Sequence, residues 1–238
     1  MSDRSMNASG LAGLIAGIVL VLYGCNASVN EDIEIAAGGE RSGGGMTVNG
    51  DVRVGREAVA DAALRTVNGT IRVEEGAQVS DCATVNGLVE IGSDTRTGDL
   101  ETVNGDLKVG TRARVDGHIK LVNGNIEVLD GTEVEGSVGT VNGRIVLHGA
   151  SIGGSVMNVS GGMFITDGSH VHGGLRVKGA SDDPHAEPPE IIIGPDTVID
   201  GELSFERPVR LFIHETATVG EIRGAEAVRF SGKTPSPT

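Results

Sequence analysis

The chain has 238 residues, with 19 Lys or Arg against 33 Asp or Glu and a formal net charge of −14. Aromatic residues make up 2%, there is no Trp and one Tyr, and Gly fills 38 positions. That charge repels nucleic acid and anionic lipid headgroups. The shortage of rings argues against aromatic sugar platforms and base-stacking surfaces.

The chain opens on an address segment. Residues 11–23, LAGLIAGIVLVLY, form a 13-residue apolar run. This is short for a membrane span and fits the hydrophobic region of a signal peptide. Leu22-Tyr23-Gly24-Cys25 follows and resembles a bacterial lipobox, although Tyr23 is bulkier than usual there and Arg4 is offset by Asp3. The resemblance implies that 1–24 is removed and that Cys25 is diacylated, so the mature protein is held to a membrane by lipid. An uncleaved signal anchor is the alternative. Residue 26 is Asn, not Asp. By resemblance to lipoprotein sorting in two-membrane bacteria, this favours the periplasmic face of the outer membrane over the inner. Residues 25–32 are expected to be a short polar tether.

From 33 onward a repeat dominates. The phrase TVNG stands at 47–50, 66–69, 84–87, 102–105 and 140–143, with LVNG at 121–124. The asparagines are Asn49, Asn68, Asn86, Asn104, Asn123 and Asn142, at intervals of 19, 18, 18, 19 and 19 residues. Degenerate copies follow at Val159-Ser160-Gly161 and Val177-Lys178-Gly179. A fixed period of this size marks a stacked-repeat architecture.

Alignment on the asparagine brings out apolar columns. One residue before it stands Val in every copy; four before stand Leu64, Cys82, Leu100, Ile119, Val138 and Val156. Three after it come Val52, Ile71, Val89, Leu107, Ile126, Ile145 and Met163, and five after it Val54, Val73, Ile91, Val109, Val128, Leu147 and Ile165. Val79, Val115, Val134 and Val171 stand about eleven after. The spacing inside a repeat is mostly two, the strand period, and β-branched residues suit a pleated surface. One repeat cannot bury its own apolar face, whereas a stack buries all of them. The predicted fold is all-β, a single-stranded parallel β-helix (β-solenoid) of 18–19 residues per turn. About ten turns at ~4.8 Å each give a rod on the order of 50 Å long.

Asn-Gly readily takes positive φ, so the phrase is read as a corner made at the same place in every turn. Side-chain amides at one corner are also placed to bond their copies above and below. The role assigned to the six asparagines is therefore structural, and their direction is left open. Four residues after each asparagine stand Arg53, Arg72, Glu90, Lys108 and Glu127. Their sign alternates from Arg72 onward, as expected for paired charges on adjacent strands.

At 180–190 the stretch ASDDPHAEPPE breaks the period and reads as a loop thrown out from a corner. The rod resumes at Ile191-Ile192-Ile193 and runs to about 230. Phe205, Phe212 and Phe230 gather at this end, where bulky residues suit a cap. The tail 231–238, SGKTPSPT, is expected to be disordered.

Little in the chain points to chemistry. Cys82 falls in a core column and is read as a small buried residue. With Cys25 assigned to lipid, no disulfide is implied. His170 and His172 lie two apart on one strand face and form the best pair for a metal. No carboxylate or cysteine stands at a matching offset in the neighbouring turns. The expectation is therefore a solvated surface, with no metal and no cofactor. G-x-S-x-G, H-E-x-x-H, C-x-x-C and phosphate-loop motifs do not occur. A left-handed hexapeptide-repeat acyltransferase has a similar turn length, but the apolar columns do not fall on multiples of six.

Three phrases, Thr132–Val138, Ala113–Ile119 and Thr216–Ile222, carry an apolar-x-Gly-x-apolar pattern similar to the rungs of bactofilins, the polymer-forming cytoskeletal proteins of bacteria. The TVNGD-type repeats are also similar to those of surface-adhesin β-solenoids. The bactofilin resemblance covers about 33–230 and implies a right-handed β-helix and end-to-end assembly. The export signal departs from that family, which is cytoplasmic. The functional expectation is a non-catalytic, lipid-anchored scaffold of the cell envelope. Its expected partners are a membrane, through the lipid, and copies of itself or an envelope protein, but not nucleic acid. An adhesin-like binding module using the 180–190 loop is the alternative.

Overall fold

The computed structural model describes residues 28–179, 187–232 and 234–235. The leader 1–24, Cys25 to residue 27 of the expected tether, the loop residues 180–186 with His185, and residues 233 and 236–238 of the expected 231–238 tail lie outside the described residues. Among the described residues all regular structure is strand, and no helix is long and apolar enough to cross a membrane.

The strands form three parallel sheets of eleven, ten and ten strands. In each sheet a strand pairs with its counterpart one turn earlier and one turn later, so the chain is a β-solenoid of about ten turns. One turn shows the plan. Leu100–Asn104 lies on the first face, Leu107–Val109 on the second and Arg114–Val115 on the third. The next turn places Ile119–Asn123, Ile126–Val128 and Glu133–Val134 directly against them. The register is residue for residue: Leu100 meets Ile119, Leu107 meets Ile126, and Val115 meets Val134.

Alternation of side chains sends every second residue inward. The columns four before, three after and five after the asparagine are all buried and make one continuous core. Each fully buried Val, Leu or Ile contributes about 1.5–3 kcal/mol. The valine column one before the asparagine does not join them. Val67, Val85, Val122 and Val141 face outward and are half-buried, stacked on one another along the outside of the first face. The residue that shares the inward face is the threonine two before the asparagine. Thr47, Thr66, Thr84, Thr102 and Thr140 are buried, and Leu121 fills the same slot in the LVNG turn.

A further inward column is small: Ala58, Ala77, Thr95, Ala113, Thr132, Ala150, Ser169, Thr197 and Ala217. It sits just after the corner between the second and third faces. Its hydroxyls bond nearby carbonyls, Thr95 to Gly92 at 3.0 Å and Ser169 to Thr166 at 2.7 Å. This corner is where the backbone enters the left-handed helical region. Glu57, Asp94, Arg112, Asp167 and Asp196 have φ of 55–57°, and Gly38, Gly76 and Gly131 take φ of 65–72° at the equivalent place. At the Asn-Gly corner the six repeat asparagines are not among the positive-φ residues; the glycine carries the positive φ, at 150–153° in Gly105, Gly124 and Gly143.

The rod also begins earlier than Ile33. Ser28 bridges Thr47, its N–H donating to Met46 and its carbonyl accepting from Val48, so residues 28–32 of the expected tether belong to the first turn. At the other end Phe205 and Phe212 are buried, and Phe230 packs edge-on against the buried His214.

Candidate functional site

The repeated phrase explains itself at the first corner, residue by residue. The asparagine closes the first-face strand with its side chain in solvent. Nδ2 of each donates to Oδ1 of the one before: Asn68 to Asn49 at 2.9 Å, Asn86 to Asn68 at 2.8 Å, Asn104 to Asn86 at 2.9 Å, Asn123 to Asn104 and Asn142 to Asn123 at 2.8 Å. The amides therefore point outward and form one ladder. It extends to Asn30, which accepts from Asn49 at 2.7 Å. Asn30 lies 19 residues before Asn49 in a Val-Asn pair without a following glycine, so a search for the full phrase misses it.

The glycine is there for clearance. A Cβ on Gly105 would overlap the carbonyl oxygen of Gly87, and the same holds from Gly50 through Gly161 against the glycine or glutamate one turn below. The threonine seals that carbonyl from inside. Thr66 donates to the Gly50 carbonyl at 2.8 Å, Thr84 to Gly69 at 3.1 Å and Thr140 to Gly124 at 3.2 Å. In the degenerate turn Asn158 substitutes, donating to Gly143 at 2.8 Å. A buried hydroxyl is tolerated only when bonded, and the turn beneath supplies the acceptor.

A second ladder runs along the corner between the third and first faces. Here each side chain accepts the backbone N–H of its counterpart one turn on. Asp81 takes Asp99 N–H at 2.9 Å, Asp99 takes His118 at 2.6 Å, His118 Nδ1 takes Ser137 at 2.9 Å and Ser137 takes Ser155 at 3.1 Å. Because His118 accepts at Nδ1, its ring proton resides on Nε2. The shared property of these residues is one short acceptor, a property that an alignment by hydrophobicity does not register.

On the second face the alternating charges meet. Arg72 pairs with Glu90 at 2.8 Å and Lys108 with Glu127 at 3.0 Å. On the third face Arg114 bridges Asp116, Glu133 and Glu135, and Asp116 also holds Arg96. Arg112 clamps Asp94 and holds its carboxyl below the usual carboxylate value. A hollow of about 710 Å³ on the second face is lined by Asp106, Lys108, Asn125, Glu127, Arg144 and Val146, with both signs of charge present. Exposed pairs of this kind are screened by solvent and add little stability, so their main effect is on the character of the faces. Cys82 is fully buried, and burial, followed by the nearby Asp81, pushes its thiol up to about 12. It therefore supplies no thiolate nucleophile.

The histidines separate into two kinds. His118 sits in the second corner ladder, and His148 Nδ1 lies 2.9 Å from Asp167 in the next turn. His170 and His172 behave differently. Their rings lie 3.9 Å apart, and both aim at one carboxylate oxygen, Asp200 Oδ2, from His170 Nε2 at 2.8 Å and His172 Nδ1 at 3.2 Å. The hydrogen bond from His170, reinforced by that from His172, holds the Asp200 carboxyl below its usual value. The expectation that no carboxylate stands at a matching offset is thus corrected. Asp200 is 28 residues from His172, not 18 or 19, because the 180–190 insertion lengthens that turn. The register His170 to Val198 and Val171 to Ile199 carries Asp200 to the position over His172.

Comparisons with protein families, with curated proteins and with solved structures returned no match. What is established is the architecture: a parallel β-solenoid with a filled core, three hydrogen-bonded faces and regular polar ladders along its corners.

Proposed function

We propose that this chain is a non-catalytic, lipid-anchored structural rod of the bacterial cell envelope, tethered through Cys25 at the periplasmic face of the outer membrane and able to stack end to end. The observation that carries this reading is how the repeat is used. Thr, Val, Asn and Gly of every TVNG serve to stack one turn on the next, so what is built is stiffness and two terminal rungs. Among the described residues the strands Ile33–Ile35 and Glu40–Arg41 have strand partners on one side only, Gly45–Thr47 meets the single residue Ser28 on its other side, and Thr218–Val219, Ile222–Arg223 and Ala227–Phe230 are also paired on one side only. A parallel edge with unpaired N–H and C=O groups is a template for another chain. Val228, 47% exposed on the last strand, adds an apolar contact there. The bactofilin-like phrases at 113–119, 132–138 and 216–222 support the same reading, and the lipobox-like Leu22–Cys25 supports the anchor.

Negative-stain electron microscopy of residues 26–238 tests the assembly. Filaments with an axial repeat near one rod length are expected, and Val228→Lys on the terminal strand is expected to shorten or abolish them. Discrete short rods at high protein concentration would remove end-to-end stacking from the proposal and leave a monomeric scaffold. The anchor is tested separately. In a two-membrane bacterium the chain is expected in the outer-membrane fraction, and Cys25→Ser is expected to move it to the soluble periplasm. A variant still in the membrane fraction would point to the uncleaved signal anchor.

A further inference from the structure

His170, His172 and Asp200 form a cluster that the rod does not need for its fold. The other corner and face groups form amide ladders or pair opposite charges. Here two imidazoles from one turn converge on a single oxygen of the next. His-x-His on a strand puts both rings on the same outer face. The three ligand atoms, His170 Nε2, His172 Nδ1 and Asp200 Oδ2, all lie within 4.8 Å of one another. The side chains are 38%, 49% and 49% exposed, so an ion can reach them from solvent and keep water on its open side. The turn beneath offers little obstruction, with Ser151 directly under His170.

We propose that these three residues bind a divalent transition-metal ion of the zinc class. Two neutral imidazoles and one carboxylate match the nitrogen–oxygen preference of that class and not the all-oxygen preference of calcium or magnesium. Three protein ligands leave a fourth position for water, as in open zinc sites. In the bound form each neutral imidazole offers the nitrogen that faces Asp200 Oδ2 and carries its proton on the other ring nitrogen, so one ion ties together the turns that the 180–190 insertion separates. The ion acts as a staple at the turn that the insertion lengthens. This inference is independent of the envelope reading and holds whether or not the rods polymerise.

The test uses the purified full chain, stripped with chelator and titrated with Zn²⁺ by calorimetry, with Co²⁺ absorption as a second readout. One equivalent of Zn²⁺ per chain is expected, together with visible Co²⁺ bands of low-symmetry coordination and a melting temperature raised by the metal. His172→Ala and Asp200→Asn should each weaken binding by at least the roughly 10–100-fold that loss of an outer-shell partner costs. His148→Ala, which leaves the cluster intact, should bind like the parent. All three positions are on the surface, so circular dichroism of each variant is expected to match the parent. No saturable Zn²⁺ binding, or binding that survives the double change His170→Ala with His172→Ala, would overturn the proposal and leave a plain hydrogen-bonded cluster.

Discussion

Gly105→Ala is expected to destabilise the rod by about 3 kcal/mol or more, although it adds one methyl group to a surface corner. The added Cβ would overlap the carbonyl oxygen of Gly87 in the turn beneath. That oxygen is backbone and cannot rotate away, so relief requires opening the stack between the two turns. Opening breaks the Asn86–Asn104 amide bond that joins these two turns. Effects above roughly 3 kcal/mol need a named cause of this kind. The comparison variant is Gly131→Ala, at the left-handed corner, where φ is +70° and the nearest atom to a Cβ is the flexible Arg112 side chain at 3.3 Å. Glu57, Asp94 and Arg112 already occupy that corner with side chains at φ of 55–57°. Gly131→Ala should therefore cost only about 1 kcal/mol. Urea denaturation followed by circular dichroism decides it. Equal losses for the two variants would mean that clearance at the first corner is not what TVNG provides.

Ile126→Ala in the middle of the stack is expected to cost about 2–5 kcal/mol. Ile126 is fully buried between Leu107 below and Ile145 above, so the deleted atoms leave a hole that neither neighbour can fill without leaving register. Ile33→Ala removes the same atoms from the first strand of its sheet, which pairs only with Val52. In a stack with nearest-neighbour coupling, an end turn frays without unfolding the rest. The Ile33 variant should lose amide protection only near residues 28–60, and its cost should fall at or below the lower end of that range. Ile126→Ala should lower protection on both sides of the break. Hydrogen exchange read peptide by peptide distinguishes the two patterns, and identical patterns would rule out a nearest-neighbour stack.

Most of the architecture is legible in the amino-acid sequence. The 18–19-residue interval between Asn49 and Asn142 fixes the turn, and period-two columns such as Leu107 and Val109 fix which faces are strands. The outward direction of the asparagine ladder is not legible in parity, because Asn104 lies an even number of residues both from the inward Thr102 and from the outward Lys108, and alternation breaks at that corner. Parity does place Thr102 on the same side as Leu100. Hydrophobicity alone favours the neighbouring Val103 as the core residue, since nothing local says that a threonine will find a bonded partner inside.

That partner is a carbonyl one turn away, and here the tertiary structure decides. The sequence by itself determined that there is a stack, how long its turns are and where its regular part is interrupted, because those depend on a repeat that each turn carries within itself. The inward threonines, the clearance at Gly105, the left-handed corner at Arg112 and the meeting of Asp200 with His170 and His172 depend on which atoms of the next turn come into contact. Such contacts cross the gap between turns, and at 180–190 that gap changes length, so only the folded stack brings Asp200 to the two histidines.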